Sequence, residues 1–137
     1  MGNDKLDYVI ENSDYLVVCL ALTKDTKHFI KEENLKKAKK NMVLVNIGRG
    51  ALIDEDALIR CLENGTIAGA ALDVFTVEPL PETSKIWDLP NVIVSAHNAD
   101  YTNDSRKSSV RFFTELCPRF LKGEEFEGCV VDKTSGY

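Results

Sequence analysis

Apolar residues along this chain fall into short unbroken runs, separated by segments in which charged and apolar positions alternate with a helical period. Tyr15-Leu16-Val17-Val18-Cys19-Leu20 is continuous, the pattern of a strand covered on both faces in a parallel sheet, with Cys19 an inert interior thiol. Met42-Val43-Leu44-Val45-Asn46-Ile47 repeats the pattern, and Ile67 to Val74 does so around Gly69. Val92-Ile93-Val94-Ser95 is a fourth run. Between the runs, Asp7 to Asn12 predicts a short helix broken by Ser13-Asp14, and Lys31 to Lys40 predicts a charged one. Asp54 is placed to cap a helix through Ala57, Leu58, Cys61 and Leu62, which Asn64-Gly65 would stop. A proline-punctuated loop runs from Glu78-Pro79-Leu80-Pro81 to Leu89-Pro90, with Trp87 as its packing anchor. The chain then enters a long helix, about Ser105 to Lys122, whose Phe112, Phe113, Leu116, Phe120 and Leu121 predict a buried stripe.

Strand-helix-strand alternation with short connections predicts an α/β fold, a parallel sheet with flanking helices. Ligands of such sheets bind beyond the carboxyl ends of the strands. That directs attention to Thr23, Gly48-Arg49-Gly50, Asp73 and His97-Asn98.

The chain has 137 residues, 44% apolar and 28% charged, which suits one globular domain with a real core rather than disorder. Its net charge of −5 speaks against a nucleic-acid partner. In Lys36-Lys37-Ala38-Lys39-Lys40 the lysines trail Glu32 and Glu33, the order that favours a solvated helix end over a binding patch. Cys19, Cys61, Cys117 and Cys129 stand too far apart for a metal site, and no run is long enough to cross a membrane. Reduced thiols and no apolar leader predict a cytoplasmic location. His28, alone between Lys27 and Phe29, is expected to be solvated.

Gly48-Arg49-Gly50-Ala51-Leu52-Ile53 follows a strand, and Asp73 lies about twenty residues on, nearly a dinucleotide fingerprint. Three features oppose that reading. Ile53 is bulky where the helix should pack closely. The carboxylate of Asp54 would occupy the helix start that a pyrophosphate needs. Arg49 puts a long side chain where bare backbone should face phosphate. The glycines are instead expected to let the chain turn sharply while Arg49 is presented to a ligand.

Arg49, Glu78 and His97 each follow a strand end. A guanidinium matches a carboxylate in bidentate fashion, and a histidine near neutrality gives or takes a proton. A carboxylate on the far ring nitrogen would fix the imidazole tautomer. Together these groups would serve the reduction of a 2-keto acid. Spacing alone leaves open a surface arginine, a capping histidine and a loop glutamate.

Three ordered blocks carry a resemblance. Val45-Asn46-Ile47-Gly48-Arg49-Gly50-Ala51-Leu52-Ile53-Asp54-Glu55-Asp56-Ala57-Leu58, the run from Gly65 to Pro81, and Leu89-Pro90-Asn91-Val92-Ile93-Val94-Ser95-Ala96-His97-Asn98-Ala99 resemble the D-isomer-specific 2-hydroxyacid dehydrogenases. The resemblance implies NAD or NADP as cofactor and a small 2-keto or 2-hydroxy acid as substrate. It makes Arg49 the substrate-binding residue, His97 the general acid/base and Glu78 its partner. Asp73 would meet the nicotinamide carboxamide, Ile47-Gly48 would pass close to the cofactor, and Leu20-Ala21 would line its adenosine side. Arg49, His97 and Ala99 complete the implied cofactor site. Departures are Ala21 and Ala96, where the family usually has proline, and Asp100, where glycine is common.

The implied architecture is a partial Rossmann-like sheet lacking the first beta-alpha-beta unit. Residues 1–137 would be the C-terminal portion of an NAD(P)-binding domain, without its glycine-rich fingerprint or the substrate domain, as in a partial gene model or a broken gene copy. The segments Ile86 to Pro90 and His97 to Asp100 look closer to glyoxylate/hydroxypyruvate reductase-like members than to phosphoglycerate dehydrogenases, and the resemblance implies a family-like homodimer, since members of the family are mostly dimers. A non-catalytic NAD-binding or regulatory protein on this scaffold, as in the C-terminal-binding-protein corepressors, is the alternative, and an inert remnant is another.

Overall fold

A computed structural model describes residues 5–102, 104–126 and 130–134, which group into two compact units, residues 1–97 and 98–137. The first unit holds α1 (Leu6–Asn12), β1 (Tyr15–Val18), α2 (Glu32–Leu35), β2 (Val43–Asn46), α3 (Glu55–Glu63), β3 (Gly69–Leu72) and β4 (Val92–Val94). Single 3-10 turns at Gly50–Leu52 and Lys85–Asp88 interrupt the connections. The four strands are parallel and lie in chain order, β1-β2-β3-β4.

Strand register explains where the core sits. Leu16, Leu44, Ala70 and Val92 form one cross-sheet row, and Val18, Asn46, Leu72 and Val94 the next. These rows join Ile10 of α1, Leu35 of α2 and Leu58, Cys61 and Leu62 of α3 in a single apolar cluster. All three helices of the unit therefore serve one face of the sheet. The intervening row, Val17, Val45, Ala71 and Ile93, points the other way, and Val17 and Ile93 are 55% and 73% exposed. β1 is thus covered on one face, not two, and Cys19 just beyond it is exposed rather than interior. A continuous apolar run reports that a strand can be buried on both sides, not that a second layer is supplied.

α3 follows its sequence signals closely. The Asp54 carboxylate accepts the Ala57 N–H at 3.1 Å, and Ala57, Leu58, Cys61 and Leu62 form the buried face. Gly65, at φ 70°, ends the helix in the left-handed region that glycine adopts freely. α2 is a single turn instead of the ten-residue helix predicted. Past Leu35 the bonds shorten to three-residue turns, Lys37 N–H to Asn34 O and Ala38 N–H to Leu35 O. Lysines at 36, 37, 39 and 40 would stack like charges at helical spacing, which disfavours continuation. Glu32 meets Lys36 at 2.8 Å and Arg60 of α3 at 2.7 Å, and these two cations hold its carboxyl at a pKa of about 2.

The second unit is built on α4 (Ser105–Leu121). The predicted helix is present, but its predicted core stripe is not: none of its residues is buried, and Phe113 and Phe120 are largely exposed. Among the described residues no helix is long and apolar enough to cross a membrane.

Candidate active site

Because the strands are parallel and share one register, their carboxyl ends lie side by side, and the ladder continues past them. Ile47 N–H donates to Val18 O, Asp73 N–H to Asn46 O, Ser95 N–H to Leu72 O and His97 N–H to Asp73 O, all between 2.8 and 3.1 Å. Four of the chemically interesting segments are thereby drawn to one edge: Leu20-Ala21 after β1, Ile47-Gly48-Arg49 after β2, Asp73 after β3, and Ser95 to His97 after β4.

The Arg49 turn is held from within. Asn46, buried at the end of β2, accepts the Gly48 N–H at 3.1 Å and donates to the Arg49 carbonyl at 3.1 Å. Its side chain closes the turn and leaves the Arg49 side chain exposed, with Nη1 donating to Gly48 O at 2.7 Å. The two glycines answer to contact rather than to turning. A Cβ on Gly48 would lie 3.0 Å from Leu20 O, and one on Gly50 would lie 1.9 Å from the Phe75 carbonyl carbon. Neither has a positive φ, so the expectation of glycines for a sharp turn is corrected to glycines for close backbone approach. The Asp54 carboxylate caps α3 itself, one of the three features that oppose a dinucleotide fingerprint at this turn.

Glu78 and His97 form a pair. Glu78 Oε2 lies 2.6 Å from His97 Nδ1, and Glu78 Oε1 accepts the Phe75 N–H at 2.9 Å. A carboxylate can only accept, so Nδ1 carries the proton and Nε2 is the ring nitrogen left for a ligand. The Phe75 N–H is the main reason that the Glu78 carboxyl titrates below its ordinary value of 4.5; partial burial opposes it, and His97 and then Arg49 add to it. His97 itself sits at φ 50°, a conformation that costs a non-glycine residue about 1–3 kcal/mol. Its backbone bond to Asp73 and its ring bond to Glu78 hold it there.

Asp73 is 3% exposed and accepts the Ser95 hydroxyl at 2.6 Å. Leu20, Ala21 and Ile47 are exposed at the strand ends, while Gly48 is buried beneath the backbone of Leu20. Ala99 lies in the second unit, two residues past His97. A pocket of about 490 Å³ adjoins the pair, lined by Phe75, Pro79, Leu80, Trp87 and Val94 with Glu78 and His97 at its polar end. Trp87 is more exposed than a packing anchor should be, yet its indole N–H donates to Pro81 O at 3.0 Å and ties the loop. His28 is exposed, as expected. Asn46 and Ser95 were not singled out from sequence. Their one signal was a polar residue in an otherwise apolar run.

The chain is thus an α/β protein whose parallel sheet has a carboxylate–imidazole pair and an exposed arginine beyond its strand ends. The family described as D-isomer specific 2-hydroxyacid dehydrogenase, NAD binding domain, matches residues 1–99, and the chain belongs to it. It is 45% identical over 125 residues to a glyoxylate/hydroxypyruvate reductase B of Pectobacterium carotovorum, covering 91% of this chain and 39% of that relative. It is similar to the crystal structure of a D-isomer specific 2-hydroxyacid dehydrogenase from Xanthobacter autotrophicus in complex with NADPH and MES, at 35% identity and a TM-score of 0.90 over 99% of this chain and 55% of that one. A structure of the NADPH-dependent glyoxylate/hydroxypyruvate reductase of Sinorhizobium meliloti in complex with NADP and sulfate matches at 37% identity, with a TM-score of 0.85 over 98% of this chain and 43% of that one. The chain thus spans about two fifths of the length of such reductase relatives.

Proposed function

We propose that the chain is the carboxyl-terminal part of the NAD(P)-binding domain of a 2-hydroxyacid dehydrogenase, acting on a small 2-keto acid of the glyoxylate or hydroxypyruvate kind. The observation that carries this reading is the 2.6 Å bond between Glu78 and His97, on a loop whose Phe75–Thr76 backbone lies against Gly50, next to Arg49. Likeness to glyoxylate/hydroxypyruvate reductases supports the substrate class.

The exposed apolar residues at the strand ends fit the rings of a nicotinamide cofactor, with Leu20 and Ala21 on its adenosine side. Leu20, Leu22 and Ile47 offer exposed apolar surface beyond β1 and β2, and the polar Asp73–Ser95 pair lies beyond β3 and β4. They do not fit the pyrophosphate, because Gly48 and Gly50 are already in contact with the chain's own backbone. Bound NAD(P)H supplies the hydride. Arg49 clamps the carboxylate of the keto acid through its planar fork. Protonated His97 holds the keto oxygen from Nε2 and gives it a proton as negative charge develops there. Glu78 accepts from Nδ1 and so aims Nε2 at the keto oxygen.

In the full-length protein, His97→Ala is expected to lower kcat for glyoxylate reduction about 10²–10⁴-fold, the usual worth of a positioned acid. The measurement is oxidation of reduced cofactor at saturating substrate. Near-normal turnover in that variant would remove the assignment.

A further inference from the structure

Glu55 stands in the first turn of α3, where an acidic side chain is ordinarily explained by the helix dipole. Its side chain does something else. Glu55 Oε2 accepts the backbone N–H of Thr76 at 2.9 Å, across 21 residues of sequence. The next amide back, that of Phe75, is the one taken by Glu78 at 2.9 Å. Two carboxylates thus hold consecutive amides of one loop, one from inside the loop and one from α3.

The same loop is pressed against the arginine turn. A Cβ on Gly50 would lie 1.9 Å from Phe75 C, 2.2 Å from Phe75 O and 2.4 Å from Thr76 N, so the two backbones are in direct contact. Glu55 follows Gly50 by only five residues, with the Gly50–Leu52 turn and the Asp54 cap between them. The segment that carries Arg49 therefore grips the segment that carries Glu78 at two points: a bare glycine backbone and the reach of Glu55.

We infer that Glu55 is a positioning residue for the Glu78–His97 pair, fixing the 75–78 loop against the Arg49 turn by holding the Thr76 amide. This inference rests on the acid–base reading of that pair. Loss of the Glu55 bond frees the Thr76 end of the loop and loosens the hold of the Phe75 N–H on Glu78, which is the largest cause of its lowered pKa.

Two substitutions separate this role from a helix-dipole role. Glu55→Asp keeps the negative charge in the first turn but shortens the reach. Glu55→Gln keeps an acceptor oxygen at full reach but removes the charge. In the full-length protein, Glu55→Asp is expected to speed hydrogen exchange at the Thr76 and Phe75 amides at least tenfold, relative to amides of β2. It should also raise the Glu78 carboxyl titration toward 4.5. Glu55→Gln should change both much less. Turnover should follow the same order, with kcat falling about tenfold in Glu55→Asp, KM for reduced cofactor little altered, and kcat largely kept in Glu55→Gln.

The opposite order, Gln worse than Asp in exchange and titration, would overturn the inference, as would unchanged exchange at Thr76 in both. A loosened loop with undiminished kcat would overturn it too. A wild-type protein without turnover would instead count against the dehydrogenase reading, and the exchange and titration results would still decide whether Glu55 holds the loop.

Discussion

Glu78 is held twice, by the Phe75 amide and by His97, and the amide dominates. That ranking has a measurable consequence. A carboxyl whose folded-state pKa is lowered stabilises the fold fully above its unfolded value near 4.5, and the contribution is lost as pH falls through the lower folded value. The loop should therefore hold at neutral pH and loosen only in acid below 4.5. In His97→Ala, carbon NMR of the Glu78 carboxyl should still show titration below 4.5, because the amide remains. A return to 4.5 in that variant would mean that the histidine, not the backbone, sets the ionisation. Arg49, Glu78 and His97 were legible in the sequence as residue types that suit keto-acid chemistry. Asn46, which locks the arginine turn, was not, since nothing local distinguishes it from a polar interruption of a strand.

At the scale of elements, local signals succeeded where the physics is local. The Asp54 cap and Gly65 stop bound α3 within a residue of where the sequence placed them. Removing the cap should cost about 1 kcal/mol, so Asp54→Ala is expected to lower the urea midpoint of unfolding by a corresponding amount. An unchanged midpoint would show that Asp54 is not the cap its geometry indicates. α2 stops after one turn because the lysines that trail it crowd like charges at helical spacing, which their order behind Glu32 and Glu33 does not offset. α4 was found at the predicted place, but helical spacing of apolar residues shows only that a stripe exists. It does not say whether another surface meets it.

For the molecule as a whole, the parallel sheet divides its side chains into two populations, one packed on α1, α2 and α3 and one facing away. Substituting across that divide should expose it. Leu44→Ala, at a fully buried position, is expected to cost about 2–5 kcal/mol, whereas Val17→Thr and Ile93→Thr should each stay within about 0.5 kcal/mol in urea unfolding. A cost above about 2 kcal/mol for Ile93→Thr would mean that a further layer covers this face. The sequence by itself determined the order of strands and helices, the cap and stop of α3, and the residues able to handle a carboxylate and a proton. Those properties are written within a few neighbouring positions, as periodicity, as caps and as functional groups. Only the tertiary structure decided that Glu78 meets His97 across 19 residues, that Gly50 is required by the backbone of Phe75, and that Glu55 reaches Thr76. Each of those depends on strand register and loop path, which long-range packing sets and no local pattern records.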